Sequence, residues 1–260
     1  MGFRPRPFHA GGDSSQASAP VYVSSVPHPP IPHIHDGLDK ACSDLLEAYA
    51  RGLFPMGEPD GSVSWYDPDP RGVIPLEPGG LRVSRSLRQR VRSGVFQITS
   101  DGAFEDVIRA CAEPRPGRDG GQTWIDERFV TIYTALHRRG RAHSVEAWRV
   151  DGDGRRRLVG GLYGVRLGAL FAGESMFSRP LLGGTDASKV CLVHLVAHLR
   201  ARGFTLLDTQ FQNDHLARLG CVEISRDAYH GRLRDAIARD VAWGAFDPDR
   251  AGAMAEIAVR

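Results

Sequence analysis

Three polar residues stand where apolar ones are expected. In the run GGLYGVRLGALFAGESMFSRPLLGGTDASKVCLVHLVAHLRARGFTLLDTQ, from Gly160 to Gln210, the residues Glu174, Asp208 and Gln210 interrupt strands whose neighbours are apolar. A polar side chain in such a place must find partners or cost free energy, so these three are the candidate chemistry. Period-two alternation puts Asp208 and Gln210 on one face of a strand, with Leu207 and Thr209 on the other. A carboxylate can accept a proton, and an amide both donates and accepts hydrogen bonds. A polar pair satisfied at a strand end has the same signature.

The elements that must position them follow from the pattern. The central run reads as a strand, a tight turn at 166–168, a second strand, a polar glycine-rich loop, a long apolar helix and a third strand, which implies an α/β or α+β sheet. The helix from Ala187 to Arg202 carries Val190, Leu192, Val193, Leu195, Val196 and Leu199, so sheet must cover it. His143 to Val150 alternates, and Asp151-Gly152-Asp153-Gly154 is a hairpin turn, so the central run is entered as an antiparallel meander. Further helices are expected from Leu38 to Arg51 after an Asp36 cap, from Ser84 to Val91, from Ala103 to Ala112, from Asp126 to Arg139, from Asn213 to Leu219 and from Tyr229 to Val241. Short strands are expected at Val73 to Leu76 and Val95 to Thr99, and the two prolines between Ser64 and Arg71 make that segment extended and turn-rich. The resulting division is a flexible leader at 1–36, rich in Pro, Ser and His, a small N-terminal α+β domain at 37–71, a catalytic domain at 72–245 and a loosely held tail at 246–260. His28, His33 and His35 in the leader read as polar filler and not as a metal site.

Composition narrows the class. With 260 residues, 42% hydrophobic and 25% charged, the chain can bury a sizeable core. No run approaches the roughly 18–20 apolar residues of a membrane-spanning helix, and no apolar h-region follows the basic residues near the start, so neither a membrane span nor a secretory leader is expected. Cys42, Cys111, Cys191 and Cys221 form no C-x-x-C pair, which argues against a zinc ribbon or a thioredoxin-like site and suits a reduced cytoplasmic setting. A net charge of +2 does not announce a nucleic-acid binder, so that case rests on where arginines cluster. They do so at 82–92, where Arg85, Arg88 and Arg92 share one helix face and Arg82 and Arg90 flank it; such a patch is either a solvated face or a phosphate-contacting surface. The sequence has no H-E-x-x-H, no G-x-S-x-G and no G-x-G-x-x-G after a strand, and GGTDASK at 183–189 lacks the glycine before the lysine and the Ser or Thr after it that a phosphate loop needs.

Eight ordered motifs carry a resemblance. They are AYARGLFP at 48–55, WYDPDPR at 65–71, TWI at 123–125, HSVE at 143–146, GGLYG at 160–164, GESMFS at 173–178, ASK at 187–189, and LDTQ at 207–210 with NDH at 213–215. In this order they resemble the leucyl/phenylalanyl-tRNA-protein transferase family, over roughly 41–233. The resemblance implies an enzyme that moves Leu, also Phe or Met, from its tRNA to the α-amine of a protein beginning with Arg or Lys, so marking it for the N-end rule pathway. It implies a C-terminal domain similar to the GCN5-related N-acetyltransferase fold, with a central mixed, largely antiparallel sheet, and no metal or other cofactor. A cytoplasmic monomer is expected. Asp208, Gln210 and Glu174 are then catalytic; Leu162, Phe171, Met176, Leu192, Leu195, Leu199 and Leu207 form the aminoacyl pocket; Tyr49, Met56, Trp124 and Tyr133 serve the acceptor peptide or the adenosine; and Arg82, Arg85, Arg88, Arg90 and Arg92 meet tRNA phosphates.

Bottom-up chemistry fits that expectation. An aminoacyl ester is already activated, so the enzyme must hold ester and amine together and supply a proton acceptor, for which Asp208 is the choice from sequence, with Gln210 orienting the amine or the ester carbonyl. The chain departs from the family pattern at Met56, where tryptophan is usual, in the longer loop at 180–186, and at Asp36-Gly37-Leu38-Asp39, where GGDLS is usual. The same fold admits an acetyl-CoA-dependent N-acetyltransferase, but Arg179-Pro180-Leu181-Leu182-Gly183-Gly184 misses the spacing of a pyrophosphate loop. A non-catalytic tRNA-binding module is the other alternative, and it would tolerate loss of Asp208 and Gln210.

Overall fold

The computed structural model describes residues 37–114 and 123–251. The expected leader, its three histidines and the Asp36 cap lie outside the described residues. Helix α1, Leu38–Ala50, starts after Gly37 and has no side-chain cap. Strands β1 (Phe54–Gly57) and β2 (Val63–Tyr66) form a hairpin in which Pro55 faces Trp65. Sequence reading left these residues unpaired, because Pro55 hides the strand signal; a proline is tolerated here because an edge position needs no N–H.

Seven strands make the main sheet in the order β4-β5-β6-β7-β8-β3-β9. They are β3 (Arg71–Ile74), β4 (Gln97–Ser100), β5 (Ala142–Val150), β6 (Arg156–Leu167), β7 (Leu170–Ser178), β8 (Leu206–Gln210) and β9 (Val222–Ile224). β3 starts two residues earlier than its apolar run suggests and sits between β8 and β9, antiparallel to both. β9 has only three residues, too few to show a period. β7 and β8 are the parallel pair, and the crossover that parallel strands require is helix α5, Ala187–Arg202. The sheet is therefore mixed and largely antiparallel, as expected.

Its two faces hold separate apolar clusters. On one, α5 and α2 (Arg85–Arg92) cover Val145, Leu162, Phe171 and Leu207. On the other, α3 (Phe104–Ala112), α4 (Glu127–Arg138), α1 and the β1–β2 hairpin share one cluster with Tyr163, Val165 and Phe177. Ser84 and Asp126 cap α2 and α4 as the sequence implied, accepting from Leu87 N at 3.2 Å and from Arg128 N at 2.8 Å. After the short helix α6, Asp214–Arg218, helix α7 runs from Arg226 to Ile237, earlier than its apolar pattern suggests, because Ser225 caps it by accepting from Ala228 N.

The chain then returns across the sheet. Trp243 stacks on His143 at 4.3 Å between ring centres and donates its indole N–H to Ser100 Oγ at 3.2 Å, while Phe246 packs on His198 and Ala251 is buried. Within the expected tail Phe246 and Ala251 thus pack on the body while 247–250 are exposed, and 252–260 fall outside the described residues. Among the described residues no helix is long and apolar enough to cross a membrane.

Candidate active site

β7 and β8 are in register only from Leu170 opposite Leu206 to Ala172 opposite Asp208. Beyond that point β7 continues to Ser178 without β8 beside it, so the sheet opens between them. Glu174, Asp208 and Gln210 all lie at this parting, and Gln210 links the other two. Its backbone N–H donates to Asp208 Oδ1 at 2.8 Å and its side-chain Nε2–H to Glu174 Oε1 at 3.2 Å. Gln210 has φ +65°, a left-handed conformation that a non-glycine residue adopts at a cost of about 1–2 kcal/mol. The bond from its N–H to the carboxylate two residues earlier offsets that cost, in the way Asp side chains stabilise turns. Gly72, opposite Gln210, permits the turn: a Cβ there would sit 2.9 Å from Gln212 N and Phe211 C.

Asp208 is wholly buried and fully engaged. Oδ1 accepts from Arg71 Nε at 3.0 Å and from Gln210 N; Oδ2 accepts from Arg71 Nη2 at 2.7 Å and from the Tyr229 hydroxyl at 2.8 Å. Arg71 is buried too, its guanidinium lying 4.2 Å from the Tyr229 ring centre and 4.7 Å from that of Phe54, with Nη1–H donating to Gly52 O. Burial works against the Arg71 cation, but the charge and hydrogen bond of Asp208 together with Tyr229 and Asp67 outweigh it, and its pKa is raised. Four donors on two oxygens leave Asp208 no free lone pair toward the opening. The expectation that it takes a substrate proton meets this geometry badly, and what Asp208 visibly does is fix the backbone of Gln210.

Glu174 is placed differently. It is 8% exposed, and no cation pairs with it among the described residues; its donors are Tyr49 OH to Oε1 at 2.7 Å, Tyr133 OH to Oε2 at 3.2 Å and the Gln210 amide. Burial pushes its carboxyl up to about 7, against the pull of the hydrogen bonds from Tyr49, Gln210 and Tyr133 and with some help from Asp208. The two phenol oxygens also lie 2.7 Å apart, so their two protons are shared between this contact and the Glu174 carboxylate, and burial raises both phenols well above the ordinary tyrosine value. Tyr49 and Tyr133, expected at the substrate, are fully buried and hold Glu174 instead.

The other expected residues fall into two groups. Leu162, Phe171, Leu192, Leu195, Leu199 and Leu207 pack in one cluster between sheet and α5, with Met176 half-buried against it at the edge of the opening. Met56 and Trp124 lie close together: a Cβ on Gly57, next to Met56, would sit 2.5 Å from Trp124 O, and Trp124 meets Phe129 edge-on at 5.3 Å. The arginine stretch is less uniform than its spacing suggests. Arg82, Arg85 and Arg92 are exposed, but Arg88 buries its Nε without a hydrogen-bond partner among the described residues, and Arg90 lines a cavity of about 290 Å³ with Gln97, His194 and Asp249. Sequence reading missed Arg71 and Tyr229 as members of the site. Arg71 carried a signal, a charge directly before the apolar run that begins at Val73, whereas Tyr229 carried none.

The sequence matches the family model described as Leucyl/phenylalanyl-tRNA protein transferase over residues 73–234, and that of its N-terminal domain over 42–69. A Leucyl/phenylalanyl-tRNA–protein transferase of Rhodopseudomonas palustris is 51% identical over 208 residues, 79% of this chain and 87% of its own. Those of Maricaulis maris and Rubrobacter xylanophilus are 49% identical over 82% of this chain and 93% of theirs, and 52% identical over 76% and 96%. A solved structure of FemX aligns with a TM-score of 0.47 at 12% identity, covering 70% of this chain and 66% of that one. The site described above thus sits in a chain that belongs to the leucyl/phenylalanyl-tRNA–protein transferase family.

Proposed function

We propose that the protein transfers Leu, and also Phe or Met, from aminoacyl-tRNA to the α-amine of proteins beginning with Arg or Lys, which marks the product for N-end rule degradation. The observation that carries this reading is the Glu174 network at the parting of β7 and β8. A carboxyl with a pKa of about 7 is half ionised at neutral pH, where a general base is most effective. Because the Gln210 amide N–H₂ is turned to Glu174, its carbonyl oxygen remains to accept from the incoming ammonium. Glu174 takes one proton, the amine nitrogen attacks the ester carbonyl, and the C–O bond to the terminal ribose breaks as the peptide bond forms. The proton on Glu174 then passes to the departing ribose oxygen, and the second proton left on the attacking nitrogen is released to water through the freed carboxylate, so charge and atoms balance without a covalent enzyme intermediate. Asp208 acts on this step through Gln210, as a positioning residue.

In this reading Met176 and the leucines behind it receive the aminoacyl side chain, and the exposed arginines at 82–92 meet tRNA phosphates. We read the body as similar to GCN5-related N-acetyltransferases, supported by an antiparallel run β4 to β7 followed by α5 and a parallel β8 that parts from β7. A cytoplasmic setting suits four buried cysteines that form no disulfide among the described residues, and a monomer without a cofactor belongs to the same reading. The test is incubation with Leu-tRNA and a peptide starting with Arg. A Leu-extended peptide is expected, and acetyl-CoA in a parallel reaction is expected to give no acetylated one; the reverse pattern would make the protein an acetyltransferase.

A further inference from the structure

A cavity of about 290 Å³ lies beside β4, away from the chemistry above. Its lining comes from α2, β4, α5 and the chain beyond α7. β4 is one edge of the sheet, with β5 and β6 between it and β7, so about 14 Å of sheet separates the cavity from the parting at Glu174. Part of the lining is apolar, from Val91, Phe96, Ile98 and Val190. Arg90, His194 and Asp249 line the same space. His194 is 7% exposed, and its Nδ1 is buried without a hydrogen-bond partner among the described residues. Burial pulls its pKa down to about 4, against the hydrogen bond to Pro248, so the ring is neutral at pH 7. Proline has no N–H, so the ring donates to the Pro248 carbonyl, and Nδ1 is left as an acceptor with an unused lone pair. Nearby, Arg250 pairs with Asp247 and not with Asp249. Arg90 and Asp249 thus line one cavity with opposite charges, and among the described residues neither has an ion-pair partner, the other included.

A cation, an anion and an unused acceptor beside an apolar wall call for a ligand with the complementary set. A carboxylate answers Arg90, an ammonium answers Asp249 and the His194 lone pair, and an apolar side chain answers Val91, Phe96, Ile98 and Val190. Volume sets the size, since ligand pockets span about 300–1,000 Å³ and this one lies at the small end. We propose that the cavity binds a free α-amino acid, as its zwitterion, with an apolar side chain of about the size of Leu. An inorganic anion would satisfy Arg90 but meet Asp249, and a wholly apolar molecule would leave the His194 Nδ1 and both charges unanswered. The site needs neither tRNA nor an acceptor protein, so it stands whether or not the transfer reading does.

The experiment is calorimetric titration of the full chain at pH 7 with L-leucine, with leucinamide, which lacks the carboxylate, and with N-acetyl-leucine, which lacks the ammonium. The wild type is expected to bind leucine about tenfold more tightly than either analogue. Arg90→Gln should weaken leucine by about the same factor and abolish its advantage over leucinamide, and Asp249→Asn should abolish its advantage over N-acetyl-leucine. Both variants should unfold in urea at the wild-type midpoint, since neither side chain has an ion-pair partner to lose. Met176→Ala, at the edge of the aminoacyl cluster, should bind leucine as the wild type does. Leucine binding lost in Met176→Ala but kept in Arg90→Gln would put the amino acid in the aminoacyl cluster and overturn the proposal. A wild type that binds no leucine, or that binds both analogues equally well, would overturn it too. Inorganic phosphate titrated alone is expected to give no binding; phosphate bound where leucine is not would make this an anion site and sink the zwitterion.

Discussion

Arg71 grips both carboxylate oxygens of Asp208, through Nε at 3.0 Å and Nη2 at 2.7 Å, and neither residue is exposed. The pair joins β3 to β8 across 137 residues of sequence, and it does so directly beneath the turn that presents Gln210. A buried ion pair is not strongly stabilising in itself, but breaking one leaves a charge without compensation.

Arg71→Ala is therefore expected to lower the unfolding free energy by about 3–5 kcal/mol, read from urea titration. Arg71→Met combined with Asp208→Leu should regain most of that loss. Transfer by the double variant should still be slower by on the order of 10², with tRNA binding nearly intact, because the Gln210 N–H has lost its acceptor. Wild-type turnover in the refolded double variant would reduce the pair to a purely structural role.

Glu174 supplies the pH dependence. If it is the base, kcat/KM for an aminoacyl-adenosine donor rises with pH through about 7 as the carboxyl loses its proton. Glu174→Gln should remove that limb and slow transfer by on the order of 10²–10⁴. Tyr49→Phe takes away a hydrogen bond that favours the carboxylate, so the limb should move to higher pH by about 1–2 units. A profile identical in all three proteins would place the base elsewhere.

Met176 stands where the packed cluster meets the opening, unlike Phe171, Leu195 and Leu199, which lie deep within it. Met176→Ala should weaken Leu transfer and relatively favour Phe, by no more than about 1–3 kcal/mol between the two, since hydrophobic pockets discriminate weakly. Substitution of the deeper residues should instead cost stability, about 2–5 kcal/mol for Leu→Ala. Competition between Leu-tRNA and Phe-tRNA reads the first effect, and an unchanged ratio would move the pocket away from Met176.

The exposed arginines allow a sharper test than their spacing alone. Arg85→Ala with Arg92→Ala should raise the KM for Leu-tRNA and flatten its dependence on salt by about one unit of slope per lost phosphate contact. Turnover of aminoacyl-adenosine should be spared. Arg88 is left alone, because its buried Nε would confound stability with binding. An unaltered salt slope would make this helix an ordinary solvated face.

Much of the site was legible in the chain itself. Asp208, Gln210 and Glu174 stood out because each interrupts a strand whose neighbours are apolar, where a polar side chain must find partners. The helix expected from about Ala187 to Arg202 was legible from its apolar breadth and from Gly203 beyond it. These are local properties, set by period and by caps within a few residues.

What the tertiary structure alone decided is which of those groups face each other. Strand periodicity places Asp208 and Gln210 on a common face, but it cannot see that Arg71 arrives from β3 to occupy one, or that φ +65° turns the other toward Glu174. The division of labour between two carboxylates follows from this. One is matched to a cation; the other is buried with only phenols and an amide, and burial, with some help from Asp208, lifts its pKa to about 7. Desolvation and pairing depend on distances between residues far apart in the chain, so residue type named the chemistry while packing assigned the roles.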